Sequence, residues 1–304
     1  MTPAPATVDH ALLQPSLDLL AQRFGERVVR LASGAQLAVR QCGVPGRLAD
    51  DLPSLVLLHG ISSGAASWLQ SAVLLGEQAH VIAWDAPGYG QSTPLPADAP
   101  TDADYAARLH ELLQALEIRR CVLVGHSLGA LMACAYARGP GAGSVARVVL
   151  ISPAGGYGAP GQAEQRARVL NERREALQAW GVNGLAERIP QRLLTPAADA
   201  AARAWVQWNA ARLNPAGYLQ AVELLCGSDL GASRGLAAPM EVHCGDTDVV
   251  TPPAACRAWA NLLAAPFDLI DGAGHASPVE QPEAVARLIT RAAQQATGAQ
   301  QHHG

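Results

Sequence analysis

The sequence contains no lysine; all 22 of its basic residues are arginine. A Schiff-base lysine, a pyridoxal phosphate anchor and the lysine of a phosphate-binding P-loop are excluded together. An excess of positive charge is missing too, since 22 basic residues face 26 acidic ones for a net charge of −4. A nucleic-acid-binding surface needs cations to neutralise phosphates, and none is expected here. No apolar run reaches the roughly 18 residues of a membrane span. The longest candidate, Val122 to Ala137, is interrupted by Gly125, His126, Ser127 and Gly129. The N-terminal stretch MTPAPATVDHALLQPSLDLL lacks the basic start, apolar core and small-residue cleavage site of a secretory signal. The six cysteines (Cys42, Cys121, Cys134, Cys226, Cys244, Cys256) show no C-x-x-C spacing, so no zinc site is expected. Most lie in apolar segments, where a reduced cysteine behaves as a small hydrophobe. Free thiols in a cytoplasmic protein are the expectation. The richness in Ala, Arg, Gly and Pro is that of a GC-rich coding sequence, and the missing lysine is read as part of that bias.

What is present suffices for a large core: 304 residues, 49% of them apolar. That length accommodates one enlarged domain or two modest ones. Short apolar runs at Ser54–Leu58, Val81–Trp84, Cys121–Gly125, Val145–Ile151, Met240–Cys244 and Phe267–Ile270 have the look of buried parallel strands. Helical patterns such as Asp102–Leu116 and Leu128–Ala137 lie between them. This alternation predicts an α/β fold with a mostly parallel sheet flanked by helices. Val28–Leu31 and Gln36–Arg40, around a Ser33-Gly34 turn, predict an opening antiparallel hairpin. Between about Gly156 and Ala237 the strand pattern stops. Helical stretches near Gln162–Trp180, Gly184–Leu193, Ala197–Leu213 and Pro215–Leu225 replace it, punctuated by Gly181, Pro190, Pro196 and Pro215. The prolines are expected near helix starts, where their missing N–H costs least. The expected organisation is a core over 1–155 and 238–304 with a helical lid over 156–237. A final helix should run from Pro282 to about Gln295, followed by a polar, frayed tail containing His302 and His303.

The strongest local signal is Gly125-His126-Ser127-Leu128-Gly129, between the apolar strand CVLV and a helical run. A G-x-S-x-G at a strand-to-helix turn places its serine on a sharp, strained elbow at a helix N-terminus, where developing negative charge is favoured. A serine hydroxyl is a weak nucleophile until a base takes its proton. His275, on a loop between the last apolar strand and the last helix, can reach the same edge of the sheet. The other histidines are worse placed. A carboxylate must orient that histidine, and both Asp246 and Asp248, after the strand MEVHC, qualify by type; one is the acid and the other a turn residue. For an oxyanion hole, the backbone N–H groups of Leu128 and of Ile61, after the strand SLVLL, form the natural pair. His59 is expected to hold that loop's shape.

Together the segments HGI (59–61), DAPGYGQS (85–92), GHSLG (125–129), GDTDVVTP (245–252) and GAGHASPVEQPEAV (272–285) resemble the α/β-hydrolase superfamily, in its lidded single-chain form. The resemblance covers about Val28 to Ala293. It implies a helical cap inserted between the sixth and seventh strands. It also implies that the acid is the fourth residue of the G-x-x-D turn, Asp248, and that Asp85 and Ser92 serve a structural turn. Dehalogenases and epoxide hydrolases of this fold carry Asp at the elbow, where this chain has Ser127. Ring-cleavage C–C hydrolases show a G-N-S-x-G elbow, where this chain has His126. The segment DVVTPPAACRAWA resembles enol-lactone hydrolases of aromatic catabolism.

The expected function is therefore that of a serine hydrolase cleaving a carboxylic ester of a small or medium hydrophobic substrate through an acyl-enzyme, with Ser127, His275 and Asp248 as triad and no cofactor or metal. Its partner is a small-molecule ester. C–C bond or enol-lactone hydrolysis with the same triad is the alternative, and a non-catalytic binding scaffold is the alternative of a different class. An aminopeptidase needs an acidic group for the substrate amine, for which the lid offers Glu172 or Glu223. A cofactor-free perhydrolase would fit the same scaffold. Substrate choice is expected from the lid, which carries Trp180, Trp205, Trp208 and Tyr218. Trp205 and Trp208 share a helix face, and packing against the sheet is their simpler role. With Trp68 and Met132 they are also the candidate walls of a hydrophobic acyl or aryl pocket.

Overall fold

Alternation with a period of two decides which layer each strand residue enters. In β3 (Ser54–Leu58), Leu55 and Leu57 enter one apolar layer while Val56 and Leu58 enter the other. Strands buried on both faces must be apolar throughout, which is why the central strands read as unbroken hydrophobic runs. A computed structural model describes residues 10–43 and 53–298 of the chain. The tail with His302 and His303 lies outside the described residues.

The remaining strands are β1 (Glu26–Arg30), β2 (Gln36–Cys42), β4 (Val81–Trp84), β5 (Cys121–His126), β6 (Val145–Ile151), β7 (Met240–Gly245) and β8 (Phe267–Ile270). They form one eight-stranded sheet in the order β1-β2-β4-β3-β5-β6-β7-β8. The β1–β2 hairpin is antiparallel, as the sequence predicts, and β2 joins β4 antiparallel. All pairings from β4 through β3 to β8 are parallel. The chain runs from β3 to β4 on one side, then returns to place β5 on the other side of β3. That reversal opens a crevice at the carboxyl ends of β3 and β5, where open α/β sheets bind ligands.

Helices cover both faces. On one side lie α3 (Asp102–Ala115), α4 (Leu128–Arg138) and α8 (Pro253–Leu262); on the other lie α1 (His10–Arg23), α2 (Leu69–Leu75) and α10 (Pro282–Gly298). Thr101 and Asp104 form a reciprocal capping box that starts α3. The α10 helix buries Val285, Ile289, Ala292 and Ala296 at spacings of three and four, the stripe of a helix lying on a sheet. The α1 helix is an addition to the sequence reading. It carries Pro15 inside and buries only Leu13 and Leu20, so its local pattern is weak.

Between β6 and β7 the chain contains no strand. It forms α5 (Ala163–Leu193), α6 (Ala200–Ala210) and α7 (Pro215–Gly227), followed by a short 3-10 turn. The two helices expected on either side of Gly181 are joined end to end in α5, and Gly181 itself is non-helical, with φ 60° and ψ −177°. Only glycine adopts that conformation readily. Pro190 departs from its expected position: it lies buried in the last turn of α5, where it has no N–H to give the Ala186 carbonyl. Pro215 does sit at a helix start, behind the Asn214 side chain that caps α7. The short α9 (Ser277–Glu280) precedes α10.

Candidate active site

Ser127 stands between β5 and α4 with φ 53° and ψ −115°, a strained conformation for a residue with a side chain. Its surroundings hold it there. The Ser127 N–H donates to the Ile151 carbonyl at 3.0 Å, and its own carbonyl accepts from Ala130 and Ala154, each at 3.1 Å. The flanking glycines are steric requirements: a Cβ on Gly129 would run into the Leu58 carbonyl, and one on Gly125 into the first turn of α4. The motif is thus a strand and a helix packed too closely for larger residues, with the serine at the bend.

His275 and Asp248 meet across the edge of the sheet. Asp248 follows β7, and His275 lies on the loop between β8 and α9. The His275 Nδ1–H donates to Asp248 Oδ2 at 2.8 Å, and both side chains are buried. This fixes the tautomer that leaves Nε2 bare. Asp248 Oδ1 accepts from the Val250 and Thr251 N–H groups at 2.7 and 2.9 Å. Burial alone would raise the Asp248 pKa, but the hydrogen bonds and charge supplied by His275 and the Thr251 N–H outweigh it and hold the carboxyl at about 2. Asp246 has the other role: exposed, it accepts the Ala273 N–H at 3.2 Å and shapes the turn.

The loop after β3 supplies backbone donors. The N–H groups of Ile61 and Leu128 bond to no protein acceptor among the described residues, and both residues line the cavity at Ser127. His59 Nε2 accepts the Ala86 N–H at 3.0 Å, so its Nδ1 carries the proton and donates to the Gly60 carbonyl at 2.8 Å. Burial lowers the His59 pKa, in keeping with a neutral ring that braces the loop. Asp85 accepts the Ala65 N–H at 2.7 Å and ties the far end of the same loop to β4. Among the described residues, no three His, Cys, Asp or Glu side chains converge as metal ligands would. All six cysteines are free.

Residues 55–288 match the family model described as the alpha/beta hydrolase family. The chain belongs to the α/β hydrolase family. A curated relative, an uncharacterized protein of Mycobacterium tuberculosis, is 38% identical over 91 residues. That match spans 30% of this hydrolase and 26% of the relative, about a quarter of its length. Among solved structures, the hydrolase is similar to a thermophilic esterase from Thermogutta terrifontis, with a TM-score of 0.74 and 24% identity over 90% of this chain and 99% of that one. It is also similar to the enol-lactonase from Burkholderia xenovorans, with a TM-score of 0.76 and 23% identity over 88% of this chain and 99% of the other. At these identities the likeness is one of fold.

The hydrolase has a cavity of about 560 Å³ at the sheet edge, lined by Ser127, His275, Ile61 and Leu128 and by residues of α5 and α7. Four expected wall residues do not line it. Trp68 is fully buried beneath the loop after β3, and Met132 is buried one turn into α4. Trp205 and Trp208 stack on each other, with ring centroids 4.8 Å apart, and pack α6 against the layer containing α1 and α2. Large apolar rings found a deeper place to bury their area than the cavity wall. Trp180 and Tyr218, by contrast, do line it, as do Tyr157 and Trp259.

Three contacts escaped the sequence reading. The Thr251 hydroxyl lies 2.9 Å from Asp248 Oδ2, 3.2 Å from His275 Nδ1 and 3.1 Å from the Ser152 carbonyl. Glu280 accepts the Gly274 N–H at 2.8 Å and the Thr195 N–H at 2.7 Å, tying the histidine loop to the helical segment. His126 donates from Nε2 to the His275 carbonyl at 2.7 Å. Burial, helped by the neighbouring His275, lowers the His126 pKa to about 3, so this ring is neutral. A Thr three residues after the acid is a recognisable turn signal. The other two contacts join distant loops and have none.

Proposed function

We propose that this α/β hydrolase is a serine hydrolase that cleaves carboxylic esters of small or medium-sized substrates through an acyl-enzyme. The observation that carries the reading is that the strained Ser127 and the His275–Asp248 pair open on one cavity. Ser127 Oγ attacks the ester carbonyl while His275 Nε2 takes its proton. Asp248 holds the tautomer and stabilises the imidazolium. The Ile61 and Leu128 N–H groups receive the oxyanion, each worth roughly 3–4 kcal/mol in such sites. His275 then protonates the departing alcohol, and water attacks the acyl-enzyme with His275 again as base. Residues 1–155 and 238–304 form the catalytic core in this reading. Residues 156–237 form its cap, supported by the α5 and α7 side chains that wall the cavity.

The fold likeness to an enol-lactonase supports a second reading, the opening of a cyclic ester by the same groups. A panel of nitrophenyl esters, lactones and vinylogous diketones separates the two from C–C cleavage. Ester turnover abolished by Ser127→Ala supports the esterase; inertness to every ester with diketone cleavage overturns it. Labelling of Ser127 by a fluorophosphonate probe distinguishes an enzyme from a binding scaffold. Of the two carboxylates considered for an amine-recognising site, Glu172 lines the cavity and Glu223 does not. Glu223 pairs with Arg174 at 2.6 Å and Glu172 with Arg168 at 3.9 Å.

A further inference from the structure

Four charged side chains of α5 line the cavity: Glu172, Arg173, Arg188 and Arg192. Two of them are already engaged. Glu172 lies 3.9 Å from the exposed Arg168, and the Arg188 guanidinium lies 4.4 Å above the Trp180 ring while its Nη1 donates to the Gly184 carbonyl at 2.7 Å. Arg173 and Arg192 are different. Neither has a carboxylate within 4.0 Å among the described residues. Arg173 spends one N–H on the Tyr218 hydroxyl at 3.4 Å, and Arg192 donates to no protein acceptor among the described residues. The adjacent Arg174, which does not line the cavity, does find an acid in Glu223. Arg40 on β2 and Arg138 at the end of α4 are likewise paired, with Glu26 and Asp102.

The two unpaired guanidiniums are 19 positions apart along α5, and the Gly181 kink lets both halves of the helix face one cavity. They are close enough to repel: burial and then the charge of Arg173 lower the Arg192 pKa. Arg173 is half-buried and Arg192 exposed, and two like charges side by side at a cavity wall, with no carboxylate partner, attract an anion. The same cavity is lined by the apolar Leu185, Ile189, Leu225 and Val250. A planar guanidinium fork matches a planar carboxylate.

We propose that Arg173 and Arg192 form a subsite for a carboxylate carried by the substrate, so that the ester cleaved at Ser127 is a half-ester of a dicarboxylic acid or a lactone bearing an acid group. This rests on the serine-hydrolase reading for the reaction, though not for the anion. The test uses mono-4-nitrophenyl esters of linear dicarboxylic acids of increasing length, each beside its terminal-amide counterpart. At the fitting length the carboxylate member should exceed the amide by about tenfold or more in kcat/KM, mainly through KM, and Arg173→Gln with Arg192→Gln should bring that ratio to about 1. In parallel, titration calorimetry of the Ser127→Ala protein with adipate should show binding that the paired arginine substitutions abolish. Equal turnover of acid and amide at every length, or adipate binding unmoved by the substitutions, overturns the subsite while leaving a Ser127-dependent esterase standing. Absence of all turnover together with an unlabelled Ser127 overturns the hydrolase reading instead, and the adipate titration then decides the anion site alone.

Discussion

Two helices meet at this site, and they differ in how much freedom they leave. In α4, which starts at Leu128 beside the serine, ten of eleven residues are buried; in α5, which walls the cavity, four of 31 are. A Cβ on Gly129 would collide with the Leu58 carbonyl, whereas one on Gly181 would meet no atom within 4 Å. The groups proposed for bond chemistry sit where neighbouring backbone leaves no alternative, and those proposed for substrate choice sit where side chains can change at small structural cost. Interiors packed at crystal density hold geometry; half-exposed helices do not need to.

The largest expected effect falls on the rigid side. Ser127→Ala should lower kcat between about ten-thousandfold and a millionfold with an unaltered circular dichroism spectrum. Residual activity within tenfold of the parent would place the chemistry elsewhere. Asp248→Asn should cost about ten-thousandfold, because an amide offers His275 Nδ1 a donor and favours the wrong tautomer; steady-state kinetics on the purified variant measures it. The glycine pair tests the contrast in stability. Gly129→Ala should cost about 3 kcal/mol or more through overpacking, and Gly181→Ala about 1–2 kcal/mol through backbone strain alone. Urea unfolding reads both, and equal losses would erase the distinction drawn between the two helices.

A pH series sharpens it further. His126 stays neutral in the folded protein down to about 3 but titrates near 6.5 when exposed. Between those values the unfolded chain binds a proton that the folded chain refuses. Stability therefore falls as pH drops from about 6.5, at up to about 1.4 kcal/mol per pH unit for each such proton. His126→Gln removes that proton yet keeps an N–H for the His275 carbonyl, so its urea midpoint should vary less between about pH 4 and 7. A slope equal to the parent's would refute the assignment. The smallest effect belongs to the cavity rim: Trp180→Ala should raise KM about two- to fivefold and leave stability within about 0.5 kcal/mol.

The same division explains what the sequence reveals. Six of the eight strands are legible as short apolar runs, and the β1–β2 hairpin as two runs around Ser33-Gly34, because burial on a sheet face is a local demand. G-x-S-x-G is legible because its glycines answer to a steric collision within a few residues. The His275–Asp248 contact is legible only through motif order, since nothing local joins positions 27 apart. Of the cavity walls, only Trp180 and Tyr218 are legible. Whether Trp205 faces the cavity or α1 depends on the rotation of α6 in the assembled molecule. Arg173 and Arg192 look, in sequence, like any solvated helix face, because the missing counter-ion is a fact of tertiary packing. The α1 helix, with Pro15 and a faint apolar stripe, offers too little periodicity to be seen.

The His126–His275 hydrogen bond spans 149 positions and joins the chain before α5–α7 to the chain after them. The β6–β7 pairing, with Ser152 donating to the His243 carbonyl at 2.7 Å, does the same at the roots of those helices. The serine and the histidine are thus joined by contacts outside the helical segment, to which the Thr195–Glu280 and Ala276–Leu193 bonds add ties from within it. Seen as a matter of descent, the helical segment is a cassette: its two ends return to adjacent strands, and it can be lengthened, shortened or traded while the parts that break bonds stay in register. On the proposed function, a lineage built this way changes its diet by rewriting one span of helix and leaving the rest of the gene alone.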